Sequence, residues 1–223
     1  MNAAIDGQRV AEGARLRAEA WGLLAAALEY PDEELIALAR DGALMRRARE
    51  LIGTLDPTLD ATLAWSALAE VPPADGLAIE YSRLFDAIGP GGPACPLHSG
   101  VLLGEDGRMK LLEELVRFYN HFGLTAAGAP GNEFPDHVLA QLDFLQFLNR
   151  CEAECLSEGG EGADDYRRAC ADFRRRHPAR WSADLIERLE RHHAHPYYLT
   201  IARLIHHLAT QPCPGAARTY RSA

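Results

Sequence analysis

The stretch from Phe134 to Leu156 constrains this chain most. Val138, Leu139, Leu142, Phe144, Leu145, Phe147 and Leu148 follow helical spacing but cover more than one face. Such a helix must be covered on several sides, so it predicts the centre of a helical bundle. The same periodicity recurs along the chain. Leu16, Ala20, Leu23, Leu24, Ala27 and Leu28 mark a first helix over Gly13–Glu29, stopped by Tyr30-Pro31-Asp32. Asp32 is placed to cap a second helix with Leu35, Ile36 and Leu38 as its buried side. A third is predicted over Ala43–Ile52, and a fourth from Asp56-Pro57, turning Leu59, Leu63 and Trp65 inward. Leu77, Tyr81, Leu84, Phe85 and Ile88 stripe a fifth helix over Ala74–Ile88, and Met109–Phe122 is a sixth. Asp164–Arg176, Ala179–His193 and Tyr197–Thr210 complete the set. Nowhere do β-branched residues alternate through a run. The expected fold is all-α, a single-domain bundle of roughly nine or ten helices. Its expected limits are residues 13–210, with flexible ends at 1–12 and 211–223.

Composition narrows the function. A formal net charge of −9 argues against a nucleic-acid partner and leaves room for a basic peptide. Cys95, Cys151, Cys155, Cys170 and Cys213 have no framework spacing and fit a reducing compartment. No apolar run reaches the roughly 18 residues a membrane span needs. Acidic residues in the first 20 positions do not suit a secretory signal. A cytoplasmic protein without stable membrane insertion is expected.

The irregular part lies between the fifth and the long central helix. Gly89-Pro90-Gly91-Gly92-Pro93-Ala94-Cys95-Pro96-Leu97-His98-Ser99 is a loop too rich in glycine and proline for plain packing. Pro135-Asp136-His137 then heads the central helix, both polar residues falling in its opening turn by the spacing. Two readings of Asp136-His137 stand here. One is a helix cap with a satisfied polar neighbour. The other is a polar anchor at the mouth of an apolar groove, able to hold a peptide backbone or an arginine. Catalysis finds less support. Cys95 and Ser99 lie near His98 but in no nucleophile motif, and no phosphate loop or dinucleotide fingerprint occurs. Cys151 and Cys155 are spaced i, i+4 without the tight pairs of structural zinc sites. A metal-dependent hydrolase built around His98, His121 and His137, and a helical adaptor without an export role, are the alternatives.

These motifs together resemble a known family. Tyr81-x-Arg83-Leu84-Phe85, Cys95-Pro96-x-x-Ser99, Tyr119-x-x-x-Gly123-Leu124 and Pro135-Asp136-His137 followed by Leu142-Asp143-Phe144-Leu145 are similar, in order and spacing, to the TorD/DmsD redox-enzyme maturation chaperones. Phe173-x-x-x-His177-x-x-x-Trp181 and Tyr197-Tyr198-Leu199-x-x-Ala202 extend the resemblance, with Pro178 where leucine is usual. It implies a non-enzymatic chaperone without a cofactor. Its partner would be the precursor or apo catalytic subunit of a molybdopterin oxidoreductase, recognised through a twin-arginine signal peptide. The implied peptide-binding residues are Tyr30, Tyr81, Leu84, Phe85, Pro96, Ser99, Pro135, Asp136 and His137. Tyr81, Leu84 and Phe85 would form an apolar wall, and Asp136 with His137 a polar rim. Asp136→Ala is then expected to weaken peptide binding without unfolding the protein. Leu97-His98 departs from the family pattern, fits chaperones of DMSO-reductase type II enzymes, and is where client choice is expected to lie.

Overall fold

The structure, a computed structural model, describes residues 2–59, 63–73, 75–86, 92–104, 108–124 and 134–212. Among them every regular element is a helix, and the one extended pairing is an isolated antiparallel bridge between His98 and His137. α1 runs Asn2–Leu28, beginning well before the expected Gly13. α2 (Glu33–Arg40) starts where the sequence places its cap, with Asp32 Oδ1 accepting from the Leu35 N–H at 2.8 Å. Its inward residue is Ala39, while Leu38 is exposed, a correction to the predicted face. α3 spans Ala43–Leu55.

Among the described residues the predicted fourth helix does not form as a regular helix. Asp56 Oδ1 accepts from both the N–H and the hydroxyl of Thr58, at 2.9 and 2.7 Å. That local turn competes with helix initiation. A short 3-10 helix, Trp65–Leu68, comes next among the described residues. Leu59 and Trp65 still point inward. The fifth predicted helix is α4 (Gly76–Tyr81), continued by a π-helical turn over Ser82–Asp86. Its expected end at Ile88, the Gly89–Gly91 part of the loop, the Thr125–Glu133 segment and the tail beyond Pro212 lie outside the described residues. α5 is a single turn, Ser99–Leu102, and α6 spans Arg108–His121. The remaining helices are α7 (Val138–Ser157), α8 (Ala163–Arg176), α9 (Pro178–Arg191) and α10 (Pro196–Thr210). Pro178 and Pro196 open α9 and α10, where a missing N–H costs nothing.

α7 is central, as its apolar pattern requires. α1 lies along it, α8 packs against another side, and α9 and α10 pair beyond. Leu142, Leu145 and Leu148 are fully buried against Trp21, Phe173 and Trp181 of the surrounding core. Tyr197 and Tyr198 open α10 and are buried too. Their hydroxyls donate to the Ala27 and Leu77 carbonyls at 3.1 and 3.0 Å, tying α10 to α1 and α4. Buried phenols need such partners, so two adjacent tyrosines fix two separate helices.

The core also holds charges. Glu152, 1% exposed, accepts from Arg17 Nη2 at 2.9 Å and from Arg167 Nε at 2.8 Å, joining α1, α7 and α8. Arg17 Nε also donates to Asn149 Oδ1 at 2.9 Å.

His177, at the α8–α9 junction, is 1% exposed, and neither ring nitrogen has a hydrogen bond. Burial among Phe118 and Phe173 pulls its pKa down to about 4. The folded protein therefore resists protonation that the unfolded chain accepts near the ordinary 6.5. The resulting stability is complete above about pH 6.5 and is lost as pH falls toward 4, up to about 3 kcal/mol. His177→Phe is expected to flatten this part of the stability–pH curve in urea titrations. An unchanged slope would contradict the assignment.

Candidate functional site

The site forms where the loop meets the head of α7. The Val138 N–H donates to the Leu97 carbonyl at 2.9 Å, and the Ser99 N–H donates to the Asp136 carbonyl at 2.8 Å. This two-bond ladder is the His98–His137 bridge, and it holds two segments far apart in sequence side by side. Upstream, the Cys95 N–H donates to the Leu84 carbonyl at 2.8 Å, anchoring the loop to the π-helical turn. Cys95 to His98 is three residues of chain, so the two anchor points lie at most about 10 Å apart. Pro135 is fixed by its carbonyl, which accepts from the Tyr119 hydroxyl at 3.0 Å.

A buried polar chain supports the bridge from below. Trp181 Nε1 donates to Gln141 Oε1 at 2.8 Å. Gln141 Nε2 donates to Ser99 Oγ at 2.8 Å and to the Asp136 carbonyl at 3.1 Å. Trp181, Gln141, Ser99 and Asp136 are all fully buried. A network satisfied to this degree rigidifies the junction of α5, α7 and α9. Ser99 is therefore a buried acceptor in this network. Pro96 is buried as well.

Asp136 and His137 divide the work differently from the sequence expectation. Both precede α7. His137 is the cap, its Nδ1 accepting from the Leu139 N–H at 3.3 Å. Burial and the neighbouring His98 pull its pKa down to about 4, Asp136 opposing them, so it is neutral at pH 7. Asp136 instead turns its carboxylate toward His98, with Oδ1 3.2 Å from His98 Nδ1. Oδ2 has no hydrogen bond of ordinary length, and Arg108 Nε lies 3.7 Å away. Burial pushes the Asp136 carboxyl up. The hydrogen bond and charge of His98, the Arg108 guanidinium and the Gly100 N–H outweigh it and hold the group below the usual carboxylate value. Asp136 is ionised at neutral pH inside the protein.

The aromatic half is closed rather than open. Tyr81, Leu84 and Phe85 are 7%, 0% and 5% exposed. Tyr198 of α10 explains it: its ring meets Phe85 edge-on at 5.3 Å and Tyr81 at 6.1 Å. The expected apolar wall is thus part of the core. Tyr30, 55% exposed and 5.4 Å from the Tyr81 ring, is the face this cluster offers to solvent. Near the polar half, Phe134 is 51% exposed with its ring 5.5 Å from His98. Leu97 is buried, so of the departing Leu97-His98 pair only His98 reaches the surface.

Sequence reasoning missed Arg108, Gln141 and the direct role of His98. Gln141 is one of three amides, with Gln146 and Asn149, in the apolar stretch of α7, so the sequence does not single it out. Arg108 had no signal either, because its partner Asp136 lies far along the chain, beyond α6 and a loop. Cys95 is buried and its thiol pushed up to about 11, leaving it protonated. His121 is exposed and sits apart with Phe122. Among the described residues no three His, Cys, Asp or Glu side chains converge as a metal site. No helix of the described residues is long and apolar enough to cross a membrane.

Comparison with known proteins places the chain in a family. Residues 42–187 match the family model described as nitrate reductase delta subunit. The chain is 38% identical over 133 residues to the chlorate reductase assembly chaperone protein of Ideonella dechloratans, covering 57% of this chain and 67% of that one. It is 36% identical over 133 residues to the selenate reductase assembly chaperone protein of Thauera selenatis, with the same coverage. It is 31% identical over 172 residues to the perchlorate reductase assembly chaperone protein of Dechloromonas aromatica, covering 74% of each chain. On these matches, and with the helical fold and motif order described above, the chain belongs to the nitrate reductase delta subunit family of TorD-like proteins.

Proposed function

We propose that this chain is a cytoplasmic assembly chaperone for the catalytic subunit of a molybdopterin oxidoreductase of the DMSO-reductase type II kind. It does not itself catalyse a reaction. It holds the apo-subunit through the twin-arginine signal peptide while cofactor is inserted, and so delays export. The single observation that carries the mode of binding is the Asp136 carboxylate, ionised, buried and short of a hydrogen bond on Oδ2. A peptide guanidinium, a planar fork of charged donors, could give that oxygen the hydrogen bond that Arg108, at 3.7 Å, does not. Phe134 and Tyr30 offer exposed apolar surface beyond the two ends of the Cys95–His98 segment. The apolar part of a signal peptide has the composition to cover it. The curated relatives, named as assembly chaperones for chlorate, selenate and perchlorate reductases, support the client class.

Co-expression tests this reading. The tagged chain is expressed with candidate reductase catalytic subunits, each with and without its signal peptide. A cognate precursor is expected to co-purify in stoichiometric amount and to be retained poorly once the signal is removed. Equal retention of both forms would contradict the signal-peptide mode. Recovery of no reductase subunit would contradict the client class.

A further inference from the structure

Arg108 is the first described residue of α6 and lies beside Asp136. The 3.7 Å separation is an ion pair too long for a hydrogen bond, and Oδ2 stays unsatisfied. Gly100 of α5 keeps the approach open. A Cβ on that residue would come within 3.0 Å of Asp136 Oδ2 and 2.9 Å of Arg108 Cγ. On its other side Arg108 lines an open cleft of about 250 Å3 with Leu103, Lys110, Glu114 and Arg180. The side chain, 38% exposed, therefore has room to leave.

We propose that Arg108 is a built-in competitor for the client: it sits at the approach to Asp136 in the free protein and gives way to an arginine of the bound peptide. This rests on the reading of Asp136 as the acceptor for a peptide arginine. Arg108 already lies beside Oδ2 and Gly100, so a peptide guanidinium arriving from that side meets it first. A peptide must therefore displace an existing ion pair, and only a segment that adds contacts elsewhere on the surface gains from the exchange. Arg108 thus sets a threshold against isolated arginines and short basic segments.

The test is the affinity of a synthetic peptide carrying two consecutive arginines and an apolar stretch, measured by fluorescence anisotropy. Arg108→Met is expected to bind it about fivefold more tightly than the natural protein. Lys110→Met, which removes an equal charge from the same cleft, is expected to change affinity by less than about twofold. In an Asp136→Asn background the gain from Arg108→Met is expected to vanish. Unchanged or weaker binding by Arg108→Met, an equal gain from Lys110→Met, or a gain that survives Asp136→Asn would each overturn the proposal. If Asp136→Asn alone leaves the affinity of the natural protein unchanged, the underlying site reading fails instead. Thermal melts of each variant separate a binding change from loss of fold.

Discussion

Glu152→Ala is expected to destabilise the protein by about 3–5 kcal/mol, because it strips a buried ion cluster of the carboxylate that Arg17 and Arg167 share. Glu152 is 1% exposed and carries both buried ends of an Arg17–Glu152–Arg167 triad. The arginine side chains are only 12% and 24% exposed. Removing the carboxylate leaves two partly buried cations facing each other across the space it filled. Asn149 still accepts from Arg17, and Asp164 from Arg167 at 2.5 Å, but neither neutralises both. The loss falls on the packing of α1 and α8 against α7. Urea unfolding is the check. The midpoint should drop with an unchanged m-value. A loss below about 1 kcal/mol would mean that the triad is worth no more than exposed ion pairs.

Asp136→Asn is expected to cost about 2–5 kcal/mol of affinity for a twin-arginine peptide, roughly 30-fold or more. Asparagine keeps the shape and the contact with His98 but removes the charge. It is more informative than alanine, because the structure buries Asp136 completely. Alanine there would also strip His98 of its partner and leave a gap beside Arg108. The expectation that Asp136→Ala acts on binding alone therefore gives way to an effect on both binding and stability. His137 is a poorer probe for the same reason: it caps α7, and changing it disturbs the helix entry.

Much of this fold can be read from local spacing. The many-sided apolar face of α7 predicts its central place, the Asp32 cap sets the start of α2, and Pro178 and Pro196 mark the openings of α9 and α10. The pattern misleads where short-range polar bonds or distant partners decide. Pro57 suits a helix start, but the Asp56–Thr58 hydrogen bonds make a turn instead. Asp136 has the residue type and position of a cap, yet the His98–His137 bridge brings up His98, 38 positions from Asp136, and the carboxylate turns to that ring. Tyr81 and Phe85 read as a free aromatic stripe until Tyr198, far along the chain on α10, closes over them. Arg17, Glu152 and Arg167 look like solvated charges in a sequence, because burial of an ion pair is a property of three helices together. The family motifs draw attention to this region, while the burial and partners of each residue within it depend on these long-range contacts.

The role of Asp136 as the anchor for a peptide arginine can be decided by isothermal titration of a twin-arginine signal peptide into the natural protein and into Asp136→Asn. With thermal melts showing both proteins folded, saturable binding to the natural protein at one site is expected, and binding to Asp136→Asn weakened roughly 30-fold or more. Equal affinity for the two proteins would contradict it.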